Sequence, residues 1–321
     1  MKEFELIERY LKYRGNQRKD VAIGIGDDAA VVDIPEGMQL VVTTDTLVSG
    51  VHFFPDCDPR ALGHKAVAVN LSDLSAMGAE PGWLSVALTL PSIDEQWIQD
   101  FSQGLFEISE YYNAQVIGGD TTQGPLSVTV SAKGLVPKDK ALLRSNAKPG
   151  DWVFVSGYIG DAGLALGYRN QQFDIPMKHQ NYILSRLDYP TPRVAAGQAI
   201  RNFASSAIDL SDGLISDIQH ILRASEVGAQ IDVGKLPLST ALLDSVSIED
   251  AYRLALGSGD DYELLFTVPE DKRGAMEVSL TQYGVDATCI GQIRGGSSLE
   301  LVKDDVPYIA NLTGFEHFSR S

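Results

Sequence analysis

The apolar residues of this chain repeat with two alternating periods, and this alternation is the feature that most limits how the chain can fold. A period of two residues is typical of β-strands, and a period of about 3.6 is typical of α-helices. Strand-like stretches lie at 38–45, 83–91, 114–122 and 126–137, and helical spacing covers 61–79. Because runs of strands stand beside helices, the pattern predicts an α+β or α/β chain with antiparallel strands rather than a doubly wound parallel sheet.

Helix signals and a polar segment divide the chain further. A helix is expected to begin at Ser92, where Glu95 completes a capping box, and 114–122 is predicted to run as a strand into a glycine turn. At about 150 residues per domain, 321 residues predict two domains. The polar, proline-bounded stretch near residue 140 separates them, so we place an N-terminal domain at 1–137, a linker at 138–148 and a C-terminal domain at 149–321.

The second domain is predicted from strand and helix patterns of its own. These are strands starting at Asp151 and covering 262–269 and 286–293, a strand, turn and helix over 205–225, and helices near 160–168 and over 270–283.

Charge and cysteine content exclude several classes of partner. Asp and Glu outnumber Lys and Arg by 43 to 26, which gives a formal net charge of −17. Such a surface repels phosphate backbones and anionic lipid, so nucleic acid and membrane are not expected partners. The two cysteines form no CxxC motif, and no apolar run reaches the ~20 residues of a membrane span. The chain is therefore expected to be a cytoplasmic protein.

Aspartates recur beside glycine or a small hydroxyl residue, most of them where an apolar run ends. They are Asp27, Asp28, Asp45, Asp73, Asp120, Asp209, Asp212, Asp260 and Asp261. A single acid in such a place is usually a helix cap or a turn residue, and that alternative stays open for each of them. If the strand ends converge, however, the carboxylates must bind cations, because unpaired buried charges are costly. Oxygen ligands without His or Cys suit Mg²⁺. The pattern thus indicates a Mg–nucleotide site.

Other nucleotide and catalytic motifs do not fit. Residues 24–29 match the dinucleotide G-x-G-x-x-G/A pattern, but a short strand and a turn follow where that motif needs a helix. No P-loop, HExxH or G-x-S-x-G motif is present. No catalytic side chain is therefore assigned.

Taken together, eight segments resemble the thiamine-monophosphate kinase family. They are GIGDDAA, TTDTLVSGVHF, NLSDLSAMGAEP, IGGDTT, LLRSNAKPGD, SAIDLSDGL, GSGDDYEL and TGFEHF, and they span residues 24–318 in the family's order. Each segment is weak alone, whereas the ordered set is specific.

The resemblance implies a fold and an activity. The fold is the two-domain aminoimidazole ribonucleotide synthetase-like fold: an N-terminal sheet-and-helix domain that binds ATP and Mg²⁺ and dimerises, and a C-terminal α/β domain that completes the active site. The activity is the phosphorylation of thiamine monophosphate to thiamine diphosphate by direct in-line transfer from ATP, assisted by several Mg²⁺ ions. A homodimer is also implied.

Site residues follow from the same resemblance, position by position. The implied metal ligands are Asp28, Thr43, Thr44, Asp45, Asp73, Asp120, Asp209 and Asp212. The implied ATP contacts are Gly119, Asp120, Arg144, Ser211 and Tyr112, and the implied substrate contacts are His52, Asp260 and Phe315.

Two positions depart from the family pattern, and three other functions stay open. Asp260 stands where Glu is expected, and Phe315 stands where Tyr or Trp is common. The alternatives are another ATP-dependent member of the superfamily, a non-catalytic Mg²⁺- or nucleotide-binding regulator, and a dehydrogenase.

Overall fold

The computed structural model describes residues 3–12 and 14–310. By contacts between Cα atoms, the chain divides into two compact units. The first is Met1–Leu74 with Ala79–Lys140, and the second is Ser75–Gly78 with Ala141–Ser321. This division concerns compactness alone, so the domain limits and roles given above stay predictions.

Helices occur in both units. The α-helices are α1 (Glu3–Leu6), α2 (Pro59–Ala76), α3 (Glu95–Tyr111), α4 (Asp161–Arg169), α5 (Met177–Asp188), α6 (Val194–Ile200), α7 (Leu214–Ser225), α8 (Thr240–Ser245), α9 (Ile248–Gly257) and α10 (Glu270–Gln282). A π-helical turn covers Ile7–Leu11 and a 3₁₀ turn covers Val233–Lys235.

The strands form three sheets. The strands are β1 (Val21–Ile23), β2 (Val31–Val32), β3 (Met38–Val48), β4 (Glu80–Leu90), β5 (Gln115–Gln123), β6 (Ser127–Pro137), β7 (Trp152–Ser156), β8 (Ser206–Asp209), β9 (Gly228–Asp232), β10 (Leu264–Val268), β11 (Ala287–Arg294), β12 (Leu299–Lys303) and β13 (Val306–Pro307). The first unit holds the hairpin β1-β2 and a four-stranded sheet in the order β3-β6-β4-β5, and the second holds a seven-stranded sheet in the order β13-β12-β9-β11-β7-β10-β8.

The four-stranded sheet has one apolar face and one polar face. Along β6, Val128, Val130 and Ala132 are buried, while Thr129 and Ser131 between them are half-buried. Alternate side chains of a strand point to opposite faces, so one face of the sheet contributes to the core and the other carries hydroxyl groups. Strand β3 pairs with β6 along its whole length and lies at an edge of the sheet.

Antiparallel pairing dominates the seven-stranded sheet, with β12 and β9 as its parallel pair. Strand β10 lies between β7 and β8, and all five of its residues are buried. The central place of β10 explains the unbroken apolar sequence LLFTV, because both faces of a covered strand lie in the core. The predominance of antiparallel strands beside helices confirms the predicted fold class.

Several element limits differ from the sequence prediction. Asp45 lies inside β3 rather than at its end, because pairing with β6 continues to Val48. Gly118 and Gly119 do not form a turn: they lie inside β5 and pair with β4. Gly119 is required there, since a Cβ on it would come within 1.8 Å of the Val86 carbonyl oxygen.

The predicted capping box at Ser92 is wrong. Helix α3 starts at Glu95, and its N-cap is Asp94. The Asp94 carboxylate accepts hydrogen bonds from the amides of Gln96 (3.0 Å) and Trp97 (3.1 Å). A carboxylate that satisfies two exposed amides at the positive end of a helix is a stronger cap than a distant hydroxyl.

Helices α5, α6, α8 and α9 were not predicted, because their short apolar stripes are interrupted by polar and small residues. Among the described residues, no helix is long and apolar enough to cross a membrane.

Two glycines allow the backbones of helices α2 and α3 to approach each other closely. A Cβ on Gly104 would lie 1.9 Å from the carbonyl oxygen of Arg60, and a Cβ on Gly63 would lie 2.1 Å from that of Phe101. We therefore expect Gly104→Ala to lower the free energy of unfolding by about 3 kcal/mol, because the helix backbones must separate. The midpoint of urea denaturation measures this loss.

Gly274→Ala is the matched control. Gly274 lies inside α10, and a Cβ on it meets nothing within 4 Å. This substitution should raise the free energy of unfolding by about 0.5–1 kcal/mol, since alanine loses less backbone entropy in a helix. Equal effects of the two substitutions would show that the helices do not depend on close backbone approach.

Candidate functional site

Strand β3 separates the three adjacent residues that were predicted to bind metal. Thr43 and Asp45 are half-buried and share one face of the sheet, whereas Thr44 is exposed on the other. The Thr44 hydroxyl donates a hydrogen bond to the carbonyl oxygen of Thr43 (2.8 Å). Because side chains alternate along a strand, Thr43 and Asp45 can contact a common ligand through their side chains and Thr44 cannot join them.

Helix α2 supplies two more polar side chains to the same face. Thr43 Oγ1 donates to Asp73 Oδ2 at 2.5 Å. The Asn70 amide oxygen accepts from the backbone N–H of Asp45 at 3.2 Å, and its NH₂ group donates to the carbonyl oxygen of Ala66 at 3.0 Å. Asn70 and Asp73 are one helical turn apart, which places both side chains against β3. We call Thr43, Asp45, Asn70 and Asp73 the β3–α2 cluster.

The carboxylates of Asp45 and Asp73 destabilise each other's charged forms. Burial, the nearby charge of Asp73 and a hydrogen bond between the two side chains together raise the pKa of Asp45 to about 6, with burial as the largest cause. A divalent cation would remove this repulsion, and Mg²⁺ typically uses one or two carboxylates together with substrate phosphates. Among the described residues no three His, Cys, Asp or Glu side chains come together as a metal site. The cluster therefore offers oxygen donors of the kind Mg²⁺ takes, as a pair of carboxylates.

Asp120 lies on the other face of the same sheet. The row of paired residues Thr46, Thr129, Ala87 and Asp120 runs from β3 to β5. Side chains paired across strands share a face, so Asp120 lies on the face of Thr46 and Thr44, opposite the β3–α2 cluster. Five of the six predicted metal ligands of the first unit, all except Asp28, thus form two groups on opposite faces, and one ion cannot contact both groups through side chains.

Lys133 was not predicted and lies on this polar face. Its ammonium group donates to Ser85 Oγ (2.8 Å) and to the Ser131 carbonyl oxygen (3.1 Å), and partial burial lowers its pKa. Alternation along β6 carries the signal, because Lys133 follows Thr129 and Ser131 at a spacing of two. It places a positive charge on the face that also carries Thr44, Thr46 and Asp120.

Three other predicted residues of the first unit lie outside these elements. Asp28 is exposed in the β1–β2 connection, where its amide donates to Asp27 Oδ1 at 2.8 Å. His52 follows β3, and its Nδ1 accepts the backbone N–H of Val48 at 3.1 Å. In the neutral ring the proton is therefore on Nε2, which is a donor. Tyr112 is the C-cap that follows α3, and its ring packs edge-to-face on the exposed Tyr111 ring.

A second polar group surrounds the β8–α7 turn of the second unit. Asp209 is buried at the end of β8, Ser211 is half-buried and Asp212 is exposed. The Asp212 amide donates to Asp217 Oδ2 at 3.1 Å, so the first turn of α7 holds the segment in place. Two of the predicted metal ligands and one ATP contact thus lie within four residues of one another.

Asp217 was not predicted as a site residue. Its pKa is raised to about 7, mainly by burial; backbone hydrogen bonds and the charge of Arg144 oppose the rise, and the negative charge of Asp212 adds to it. The charge of Arg144 also lowers the pKa of His220, after burial. Arg144 therefore lies close to this turn. The spacing D-L-S-D-G-L-I-S-D is the signal that identifies Asp217 as a further acid on the inner face of α7.

The predicted substrate residue Asp260 is joined to the same turn. Its amide donates to the Ser211 carbonyl oxygen at 3.0 Å, and its carboxylate accepts from the hydroxyl of Tyr262 at 3.0 Å. The structure thus brings Ser211, Asp212 and Asp260 together in the second unit. Phe315 lies outside the described residues.

Comparisons with known proteins agree on one family. Models of the AIR synthase related protein match at residues 26–136 for the N-terminal domain and 148–304 for the C-terminal domain. The chain is 51% identical to thiamine-monophosphate kinase of Escherichia coli K12 over 319 residues, which covers 99% of this chain and 98% of that protein. Against the enzyme of Bacillus subtilis the identity is 35%, over 99% of this chain and 100% of the relative.

Solved structures give the same result. The crystal structure of thiamine-monophosphate kinase from Stenotrophomonas maltophilia K279a superposes with a TM-score of 0.85 at 42% identity, covering 91% of this chain and 93% of the other. AaThiL complexed with AMPPCP and TMP superposes with a TM-score of 0.78 at 31% identity, covering 92% of each chain.

The raised pKa of Asp217 predicts a pH-dependent stability. An unfolded aspartate has a pKa near 3.9, so between about pH 4 and 7 the folded protein holds a proton that the unfolded chain has lost. Stability is therefore lost as pH rises through that range. In EDTA, we expect Asp217→Asn to raise the melting temperature by at least about 2 °C at pH 8 and by little at pH 4.

Asp305→Asn, an exposed position in the same unit, controls for the change of charge. Its melting temperature should follow that of the wild type at every pH. If the Asp217→Asn and wild-type curves are parallel from pH 4 to 8, the carboxyl group of Asp217 is ionised throughout.

Proposed function

The chain belongs to the thiamine-monophosphate kinase family of AIR synthase related proteins, and we propose on that premise how its residues perform the reaction. The activity is ATP-dependent phosphorylation of thiamine monophosphate to thiamine diphosphate. The observation that carries it is the match along the full chain to the kinase of Escherichia coli at 51% identity. AaThiL complexed with AMPPCP, an ATP analogue, and TMP supports the pairing of substrates.

We infer direct in-line transfer without a phosphoenzyme. The attacking group is a phosphate oxygen of thiamine monophosphate, and a phosphate monoester with a second pKa near 6 is largely dianionic at pH 7. It needs no general base, which agrees with the absence of a catalytic His or Lys from the residues assigned to the site. The barrier is charge repulsion between two phosphates, so positioning and electrostatics carry the catalysis.

The oxygen donors described above fit Mg²⁺. We propose that Asp45, Asp73 and Thr43 hold it on one face of the four-stranded sheet and that Asp120 and Thr44 hold it on the other. Bound Mg²⁺ would neutralise phosphate charge and align donor with acceptor. Because the donors lie on two faces, more than one ion is proposed. The remaining proposed ligands are Asp28, Asp209 and Asp212.

The other assigned residues act on the two substrates. Arg144 is the proposed partner of the ATP phosphates, together with Gly119, Ser211 and Tyr112. Asp260 is the proposed partner of the thiazolium ring, since a fixed carboxylate stabilises a ring with a permanent positive charge. His52 and Phe315 are the further proposed substrate contacts.

The partners and location are proposed on chemical grounds. A net charge of −17 disfavours nucleic acid and anionic membranes, so small phosphorylated molecules are the proposed ligands. ATP and thiamine phosphate are cytoplasmic metabolites, which makes the cytoplasm the proposed location.

A homodimer is proposed through the exposed edge strand β3. Leu40 and Val42 are 41% and 57% exposed on this strand. The unpaired backbone groups of an exposed, apolar edge strand are a template for pairing with another chain.

The function is tested by mixing the protein with ATP and Mg²⁺ and either thiamine monophosphate or free thiamine. Mass spectrometry should detect thiamine diphosphate in the first mixture and no phosphorylated product in the second. Product from free thiamine, or none from the monophosphate, would reject the proposed acceptor. Incubation with labelled ATP alone should leave no label on the protein.

Asp45→Asn should abolish turnover and preserve the fold. We expect kcat to fall at least about 100-fold, because substitutions that only support metal ligands already cost 10- to 100-fold. The melting temperature without metal should stay equal or rise, since the substitution removes repulsion with Asp73.

Asp33→Asn, an exposed acid between β2 and β3, is the control and should leave turnover unchanged. A melting temperature several degrees lower in Asp45→Asn would show that Asp45 supports the fold and does not serve a ligand.

The homodimer predicts a sedimentation mass of twice 34.8 kDa. Val42→Asp should shift the protein toward the monomer, because a charge in an apolar interface is costly. Sedimentation velocity at micromolar concentration measures both. A wild-type mass of 34.8 kDa would contradict the proposal.

A further inference from the structure

The segment between α9 and β10 has three acids that lie in different environments. We call residues 258–263, with the sequence SGDDYE, the acidic loop. Asp261 is 3% exposed, and both of its carboxylate oxygens accept the Gly160 amide, at 2.8 and 3.0 Å. Glu263 is fully buried, whereas Asp260 is half-buried. Of the three carboxylates, that of Asp260 is thus the one the fold leaves accessible to a ligand.

Glu263 anchors the C-terminal end of the loop. Its carboxylate accepts from Ser156 Oγ (2.6 Å), from Arg186 (2.8 Å) and from Arg193 Nε (2.6 Å). The Ser156 hydroxyl oxygen in turn accepts the amide of Leu264 at 2.8 Å. Two arginines and a hydroxyl satisfy a carboxylate that would otherwise be too costly to bury, so this end of the loop cannot shift without losing a buried charge pair.

The backbone of the loop is held in an unfavourable conformation. Asp260 and Tyr262 have backbone φ angles of +68° and +50°, which residues other than glycine rarely adopt. Such a conformation persists only where surrounding bonds impose it. The Asp260 amide donates to the Ser211 carbonyl oxygen (3.0 Å), and the Tyr262 amide donates to that of Leu210 (2.8 Å).

Asp260 and Tyr262, which both have a left-handed backbone conformation, also contact each other through their side chains. The Tyr262 hydroxyl lies 3.0 Å from Asp260 Oδ1 and donates to it. Tyr262 is 8% exposed, so its ring is packed while its hydroxyl reaches the accessible carboxylate. A hydroxyl group that is fixed by a buried ring and donates to a carboxylate favours one orientation of that carboxylate.

We propose that Tyr262 is a positioning residue that orients the Asp260 carboxylate toward the cationic ring of thiamine monophosphate. The proposal rests on the proposed function and adds a residue to it. A carboxylate accepts several hydrogen bonds and keeps its charge when a hydroxyl donates to it, so the bond from Tyr262 is compatible with contact between Asp260 and the ring. Orientation in advance lowers the entropic cost of binding.

The test is the steady-state kinetics of Tyr262→Phe, which removes one hydroxyl and keeps the ring. We expect KM for thiamine monophosphate to rise roughly three- to tenfold, as for loss of a hydrogen bond to a charged group that water partly replaces. KM for ATP and kcat should stay within about twofold. An unchanged KM for thiamine monophosphate would overturn the proposal.

Tyr182→Phe is the matched control. Its hydroxyl donates to the carboxylate of Asp161 at 2.7 Å, in the same unit but outside the acidic loop. This variant should leave both KM values unchanged. If it raises KM for thiamine monophosphate as Tyr262→Phe does, the effect comes from general loosening of the unit and the proposal fails.

A double-mutant cycle separates positioning from a direct contact. If Tyr262 acts through Asp260, then Tyr262→Phe should cause no further rise in KM on an Asp260→Ala background. Additive effects would show that the Tyr262 hydroxyl contacts the substrate itself, and would overturn the proposal. If Tyr262→Phe has no melting transition, Asp260→Asn replaces it: the amide oxygen still accepts from Tyr262, and loss of the charge alone should raise the same KM.

Failure of the proposal and failure of the proposed function give different results. Wild-type protein that forms no thiamine diphosphate rejects the function, and the positioning role with it. Wild-type protein that forms it, with equal KM values for wild type and Tyr262→Phe, rejects the positioning role alone.

Discussion

The buried carboxylate of Glu263 is the interaction on which the second unit depends. Arg186, Arg193 and Ser156 hydrogen-bond to it, and these three residues come from separate elements of the unit. A carboxylate without exposure to water is tolerated only when cations and donors surround it. Because Glu263 directly precedes β10, this requirement also fixes where the acidic loop leaves the sheet, and thereby where Asp260 lies.

In the first unit, by contrast, two carboxylates lie close to each other. Asp45 and Asp73 share the β3–α2 cluster with Thr43 and Asn70, and no Lys or Arg donates to Asp45 in the part of the chain that the structure describes. Burial, and after it the nearby charge of Asp73, raises the pKa of Asp45 to about 6. Paired acids in the second unit support the fold, whereas in the first unit the raised pKa of Asp45 shows a carboxylate whose charge a bound cation would stabilise.

Much of the fold could be predicted from periodicity. The strands around Thr43 and Asp120, and helices α2, α3, α4, α7 and α10, follow from apolar spacing that packing preserves. The limits of the elements could not be predicted, because they depend on pairing. Asp45 and Gly119 lie inside strands, since the neighbouring strands continue beyond the point where the local pattern ends. Asp94 rather than Ser92 caps α3, because the Asp94 carboxylate accepts hydrogen bonds from two backbone amides of the first helical turn.

The sequence by itself determined the family, through eight ordered segments, and with it the reaction and the oxygen-rich chemistry of the site. Tertiary structure alone decided which aspartates meet. It placed Asp45 beside Asp73, Asp120 on the opposite face, and Asp260 against the Ser211 turn, and it revealed Asn70, Asp217 and Tyr262. The physical reason is that spacing along the chain specifies the direction of a side chain within its own element, whereas register and buried charge pairing specify its neighbours.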